Sequence, residues 1–252
     1  MTLQNILSTM RKACEEYSMI SDGDKIAVGL SGGKDSLVLL KALSVFRKFS
    51  PNKFELFAVT IDMGIGNVDF APLKQFCEQE NVPYHIEHTD IGPVIFDVRK
   101  EKNPCSLCSK MRRGALNDVI GKLGCNKLAL GHHADDVLET MLLSFIYEGR
   151  LSTFAPVSYM DRSGVTLIRP LVYTQEKNIS AYAKNENLPV AKSPCPADHE
   201  TKREYMKSLV KSIQKDIPFA KDRMFSAIVS PERYNLWDQY PKNPSAGRPK
   251  KQ

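Results

Sequence analysis

"VGLSGGKDS" occupies residues 28–36, and its reading decides the fold. The run before it, "KIAVGL" (25–30), is short, apolar and β-rich, as a buried strand is. The run after it, "DSLVLLKALSVFRKF" (35–49), has its apolar residues at helical spacing. A strand therefore turns through two glycines straight into a helix. Gly32 and Gly33 let the backbone come close to an anion, and the helix behind them presents free N–H groups and a positive dipole end. Ser31 and Ser36 add hydroxyl donors, Lys34 adds a full charge, and Asp35 sits between them. That is a phosphate site by mechanism. It is not a Walker A loop, which has Gly where this chain has Val28 and Ser or Thr where it has Asp35.

The alternation continues outward. Further strands are predicted at 54–62, 84–89, 127–132 and 165–171, with helices at 70–82, 110–124, 136–147 and 176–187. This pattern predicts an α/β fold, an open parallel sheet with helices on both faces. Ligands of such sheets bind at the carboxyl ends of the strands, where strand order reverses. The chain divides into an N-terminal helix (1–22), a nucleotide domain (23–199), a helical basic segment (200–240) and a Pro-, Gly- and Lys-rich tail (241–252) expected to be disordered. In a helix over roughly 200–217, Tyr205, Met206, Leu209, Val210, Ile213 and Ile217 share one face, and Lys207, Lys211 and Lys215 form a stripe on another.

The 252 residues are 42% apolar and 25% charged, an ordinary globular balance. The first twenty lack the unbroken apolar core of a signal peptide, and no run approaches the roughly 20 apolar residues that span a bilayer. A cytoplasmic protein is expected. The net charge of +6 is uneven: residues 1–200 carry −1 and residues 201–252 carry +7. A concentrated basic segment suits a polyanion such as nucleic acid, or is a solvated helix face with a loose tail.

"LGHHADDVLETMLLSF" (130–145) is a second dense motif. Gly131, His132, His133, Asp135 and Asp136 crowd the turn from the fourth strand into its helix, at the same carboxyl edge. Carboxylates there can bind Mg²⁺ or, with histidine, move protons. A helix cap explains one aspartate, not two aspartates and two histidines. Asp62 ends the second strand at this edge, and Arg169 stands in "IRPL" (168–171).

Of six cysteines, Cys14, Cys77 and Cys125 lie in apolar contexts and read as small hydrophobes. Cys105 and Cys108 form a CxxC in "NPCSLCSKMRRG" (103–114), followed by Lys110, Arg112 and Arg113, and Cys195 stands in "SPCP". Three readings of this set are open: zinc held by Cys105, Cys108, Cys195 and His199, a redox dithiol, or an iron–sulfur cluster with one iron left open.

The motifs resemble those of a known family. "SGGKDS" resembles the PP-loop of the N-type ATP pyrophosphatases, which cleave ATP between the α and β phosphates and pass AMP to an oxygen. "GHHxxDxxxT" resembles a second signature shared by lysidine synthetase and the thiocytidine synthetases. With the CxxC, "IRPL" and a later Pro-Cys in the same order over roughly residues 10–210, the chain is similar to the tRNA 2-thiocytidine synthetase family. That resemblance implies an adenine nucleotide α-hydrolase-like, Rossmann-type fold. It implies ATP bound by Ser31, Gly32, Gly33, Lys34, Asp35, Ser36, Asp62, Gly131, His132 and Arg169, with Mg²⁺ at Asp136 and catalysis by Lys34, Asp135 and Asp136. Cys105, Cys108 and Cys195 would hold a [4Fe–4S] cluster that carries sulfur to C2 of a tRNA pyrimidine, an anticodon-loop cytidine. Lys110, Arg112, Arg113, Lys202, Arg203 and Lys207 would hold tRNA phosphates. A cysteine desulfurase or inorganic sulfide would donate sulfur, and the protein would be a homodimer. Pro196-Ala197-Asp198 stands where family members often have a further cysteine, and the C-terminal region differs. The alternatives are a lysidine-type ligase or amidating synthetase with structural zinc, and an ATP- and RNA-binding module without turnover.

Overall fold

The computed structural model describes residues 2–100, 104–191, 195 and 202–237. Six strands form one sheet: β1 (Asp24–Gly29), β2 (Phe54–Asp62), β3 (Tyr84–His88), β4 (Lys127–Ala129), β5 (Val157–Met160) and β6 (Val165–Ile168), in the order β3-β2-β1-β4-β6-β5. Helices α1 (Leu3–Glu16), α2 (Lys34–Phe46) and α3 (Ala71–Gln79) fall among the first strands. A short turn α4 (Ile91–Pro93) runs on as a π turn to Val98; then come α5 (Pro104–Lys122), α6 (Ala134–Glu148), α7 (Glu176–Asn185), α8 (Lys202–Asp216) and α9 (Ala220–Val229).

Ile26, Ala27 and Val28 of β1 are all fully buried, because a central strand covered on both faces has no solvent side to leave polar. One face packs against α1, α2 and α7 through Ile6, Met10, Leu37, Leu40, Leu43, Ile179 and Tyr182. The other packs Ala27, Val59, Leu128 and Leu167 against Val119 and Ile120 of α5. Helices on both faces are thus present, and α1 belongs to the main core. β1 pairs in parallel with β2 on one side and with β4 on the other. The chain runs outward from β1 through β2 to β3, then restarts at β4 and runs the other way. The reversal lies between β1 and β4, so the loops after these two strands open side by side at the carboxyl edge.

Several expectations are corrected. The open α/β sheet is present and mostly parallel; among the described residues it gains a sixth strand beyond the five expected, β5, which pairs antiparallel with β6 from Val157↔Ile168 to Met160↔Val165. Four residues at a sheet edge, with Tyr159 64% exposed, carry no apolar alternation to mark them. The helix expected from residue 110 starts at Pro104; proline lacks an N–H, which the first helical position does not need. The C-terminal helix ends at Asp216, and α9 follows. Met206 and Val210 are buried, but Tyr205 and Ile217 of the expected apolar face are 62% and 50% exposed. The expected disordered tail lies outside the described residues. No helix among the described residues is long and apolar enough to cross a membrane.

Candidate active site at the carboxyl edge of the sheet

The loop after β1 is wound by its own hydroxyls. Ser36 Oγ accepts from Ser31 N at 3.1 Å and donates to Gly33 O at 2.9 Å, and Gly33 N donates to Ser31 Oγ at 3.3 Å. Gly32 has φ +80°, which only glycine adopts without strain, and its carbonyl accepts from Ala191 N at 3.0 Å. Gly33 is the N-cap of α2 and makes no side-chain cap bond. The first N–H groups of α2 are therefore left to an external acceptor.

The loop after β4 is built differently. His133 caps α6: its Nδ1 accepts from Asp136 N at 3.4 Å, and Asp136 Oδ2 accepts from His133 N at 2.9 Å. This reciprocal box satisfies two orphan donors and turns Asp136 Oδ1 outward, where Arg203 of α8 meets it at 3.1 Å. Buried Asp135 accepts from Glu176 N at 2.7 Å and from Lys221 Nζ at 2.6 Å. Both its oxygens are thereby committed to holding the starts of α7 and α9 against α6.

Lys34 lies between the two loops. Its Nζ is 3.2 Å from Asp35 Oδ1 and 2.9 Å from Glu176 Oε1. Burial disfavours its charge, but Asp35 and Glu176 more than reverse this and raise its pKa. Glu176 also accepts from Lys207 Nζ at 2.8 Å. Burial alone would push the Glu176 carboxyl up; the hydrogen bonds and charges of Lys207 and Lys34 outweigh it and hold the carboxyl at about 2. A carboxylate with a lowered pKa adds stability above its unfolded value, and the gain fades as pH falls through the folded value. Glu176→Gln is accordingly expected to reduce unfolding free energy by about 2 kcal/mol at neutral pH. In urea titrations across pH the deficit should close as pH drops from 4.5 towards about 2. A deficit that persists there contradicts the ion-pair account.

Beside this network, His132 packs on Phe154 at 5.0 Å, and Arg169 lies over the other side of the motif with its guanidinium 4.8 Å from the same ring. Burial, opposed by Asp136, pulls the His132 pKa down to about 4, so the ring is neutral at pH 7. Burial, with nearby Arg113, lowers Arg169 to about 10. Arg169 Nη1 donates to Ala155 O at 2.6 Å. His132 Nδ1 and Arg169 Nε are buried and lack a hydrogen-bond partner among the described residues, so the edge holds polar atoms that its own fold does not satisfy. Asp62 accepts from Gly64 N at 3.0 Å and lies 2.8 Å from His88 Nδ1, at the same edge on the far side of β1. Glu139, one turn into α6, is buried, and desolvation with Asp136 raises its carboxyl to about 7 against the pull of Arg203.

Starting α5 at Pro104 puts Cys105 and Cys108 on its first two turns, three apart and so on one face. Cys105 is exposed and Cys108 half-buried. Burial raises the Cys108 thiol; Arg112 opposes this, and Cys195 and Cys105 add to it. Cys195 has thus returned to within electrostatic reach of the CxxC, although it is 87 positions further along. Cys14, Cys77 and Cys125 are buried elsewhere, raised by burial to about 12, 12 and 11. Such thiols stay protonated and behave as the small hydrophobes expected of them. His199 lies outside the described residues.

Lys110, Arg112 and Arg113 are exposed on α5. Lys202 lies over the Tyr147 ring at 4.3 Å. Arg203 and Lys207, expected with them as RNA ligands, turn inward onto Asp136, Glu139 and Glu176.

Known proteins match this arrangement. The family model described as a PP-loop domain matches residues 3–213. The tRNA-cytidine(32) 2-sulfurtransferase of Citrifermentans bemidjiense is 36% identical over 237 residues, 93% of each chain. Its counterpart in Geobacter sulfurreducens is 38% identical over 228 residues, 89% of each chain. The chain belongs to the tRNA 2-thiocytidine synthetase family of PP-loop proteins. Among solved structures, the U34-tRNA thiolase NcsA of Methanococcus maripaludis with its [4Fe-4S] cluster is 29% identical, with a TM-score of 0.73 over 90% of this chain and 79% of that one.

Sequence reasoning misses three residues of this PP-loop site. Glu176 and Glu139 carry no motif, and Lys221 lies 86 positions from its partner Asp135. A lone glutamate opening a helix is the only local signal for Glu176.

Proposed function

We propose that this PP-loop protein is an ATP-dependent tRNA sulfurtransferase that replaces the C2 oxygen of a pyrimidine, an anticodon-loop cytidine, with sulfur. The observation that carries the proposal is the return of Cys195 to within electrostatic reach of the CxxC, in a chain whose α2 starts uncapped behind "SGGKDS". Nucleotide activation and sulfur delivery need one feature each.

Three thiols with no fourth is the donor set of a [4Fe–4S] cluster with an open iron. Cys105, Cys108 and Cys195 would hold the cluster, and an open corner would supply a place for transferable sulfur. Asp136 is the carboxylate proposed for Mg²⁺, which would offset phosphate charge.

In this reading, Ser31, Gly32, Gly33 and Ser36 hold the pyrophosphate end of ATP with the α2 N–H groups, and Lys34 stabilises the charge that develops as it leaves. The pyrimidine C2 oxygen takes AMP, which turns a poor leaving oxygen into a good one. Sulfur then adds at C2 and AMP departs with the former oxygen. Arg169 and neutral His132 line the nucleotide side. Lys110, Arg112 and Arg113, exposed on the helix that carries two of the thiols, hold tRNA phosphates. Arg112→Ala with Arg113→Ala should weaken tRNA binding and reduce its salt slope by about one to two, since each phosphate contact adds roughly 0.7–0.9. An unchanged slope in a filter-binding salt series would remove these residues from the interface.

The test is anaerobic purification, iron and sulfide analysis, and incubation with tRNA, ATP and sulfide. Iron-bearing protein that forms AMP and thiolated tRNA is expected. Stoichiometric zinc without iron would overturn the cluster, and ATP and tRNA binding without AMP release would overturn the enzyme.

A further inference from the structure

We infer that α8 closes the nucleotide site, and that Lys207 and Arg203 are phosphate-binding residues for ATP rather than part of an RNA-facing stripe. The inference rests on the reading of "SGGKDS" as an ATP site and extends it to a helix that carries no nucleotide motif.

Lys207 Nζ lies 2.8 Å from Glu176 Oε1, the same oxygen that Lys34 Nζ reaches at 2.9 Å. Two ammonium groups that share one oxygen are neighbours: burial and, more weakly, Lys34 oppose the Lys207 charge, and Glu176 outweighs them and raises its pKa. Glu176 and Asp35 are the carboxylates that face these two cations. A triphosphate brings more negative charge and more acceptor oxygens to the same place, and Lys34 already belongs to the loop that would hold it. Glu176 thus stands where a phosphate oxygen would stand, and holds both lysines until one arrives.

Arg203 does the same one turn earlier. Its Nη1 lies 3.1 Å from Asp136 Oδ1 and 3.4 Å from Glu139 Oε2, and its Nη2 donates to Thr140 Oγ1 at 3.1 Å. Asp136 belongs to the cap that ends the loop after β4, whose Gly131 lies against the start of α2, and Glu139 and Thr140 lie about a turn further along α6. A guanidinium presents several donors in one plane and suits phosphate oxygens.

Helix geometry explains why charge alone misassigns these residues. Positions four apart precess by about 40° around a helix. The flank that meets carboxylates at Arg203, itself 43% exposed, and at Lys207 therefore rotates away further along, to exposed Lys211 and Lys215. Docking of α8 is fixed by buried Met206 and Val210, which leaves Arg203 and Lys207 pointing at α6 and α7.

The test is equilibrium binding of ATP, AMP and tRNA, each measured separately, to the full-length protein and to Lys207→Ala, Lys207→Arg and Arg203→Ala. Lys207→Ala and Arg203→Ala are each expected to raise the ATP Kd about tenfold or more, the usual cost of a charge-assisted hydrogen bond. AMP and tRNA affinities should stay within about twofold, and Lys207→Arg should keep most of the ATP affinity. The AMP comparison separates a phosphate contact from a structural one, because a distorted site weakens both nucleotides. Equal loss of ATP and AMP affinity overturns the inference, as does an unchanged ATP Kd with weakened tRNA binding. If the parent protein binds no ATP, the site reading fails and takes this inference with it; if only the variants behave like the parent, the inference fails alone.

Discussion

Cys108→Ser is expected to give a folded protein that binds ATP as the parent does, retains little iron and thiolates no tRNA above background. Cys108 is half-buried near the start of α5, with its thiol under the influence of Arg112, Cys195 and Cys105. A cluster needs thiolates, and a serine hydroxyl at neutral pH supplies neither the charge nor the soft donor. Little else changes, because the side chain lies outside both apolar clusters; substitutions of that kind shift stability by about 0.5 kcal/mol or less. The contrast is Cys125→Ala. That thiol is buried in the cluster formed by α5 and the sheet, and its loss should cost some stability while iron and thiolation persist. Iron and acid-labile sulfide content, ATP affinity and tRNA thiolation read the two apart. Full iron and full transfer in Cys108→Ser would remove this cysteine from the proposed site.

Gly131→Ala has the second largest expected effect. A Cβ built on Gly131 would lie 2.9 Å from the carbonyl carbon of Asp35, 3.0 Å from its oxygen and 3.0 Å from Ser36 N. All three are backbone atoms in the first turn of α2, so no side chain can swing aside. Gly131 has no positive φ; what it provides is the close approach of the β4 loop to the β1 loop. Alanine must force the two loops apart. Overpacking of this kind costs roughly 1–3 kcal/mol, and a displacement approaching 1 Å at a site costs about 10²-fold in function. ATP affinity and AMP formation should fall by about that factor in a protein that still unfolds cooperatively. Gly114→Ala is the control: its Cβ would meet nothing within 4 Å in the middle of α5, and alanine should add about 0.5–1 kcal/mol of helix stability. Parental ATP affinity in Gly131→Ala would show that the two loops act independently.

Both motif loops are legible in the amino-acid sequence because each is local. "SGGKDS" combines its turn, its anion-binding helix start and its lysine within six residues, and the second motif does the same for α6. The CxxC is legible as chemistry, yet sequence pattern starts its helix six residues too late, since Pro104 reads locally as a breaker although it suits a first helical position. Edge strand β5 leaves no pattern because a half-exposed strand of four residues has no face to bury.

The sequence by itself determined the α/β class, the two loops at the carboxyl edge and the identity of three candidate cysteines, all set by neighbours within about one turn or one strand. Tertiary structure alone decided what meets across the chain. It brought Glu176 to Lys34 over 142 positions and Lys221 to Asp135 over 86, and it returned Cys195 to the CxxC. It also turned Arg203 and Lys207 onto Asp136, Glu139 and Glu176. The physical reason is that periodicity tells which face of a helix is apolar, while the direction of its charged flank depends on how that face docks. For α8 the docking rests on Met206 and Val210, and only their seat against the fold aims the cations.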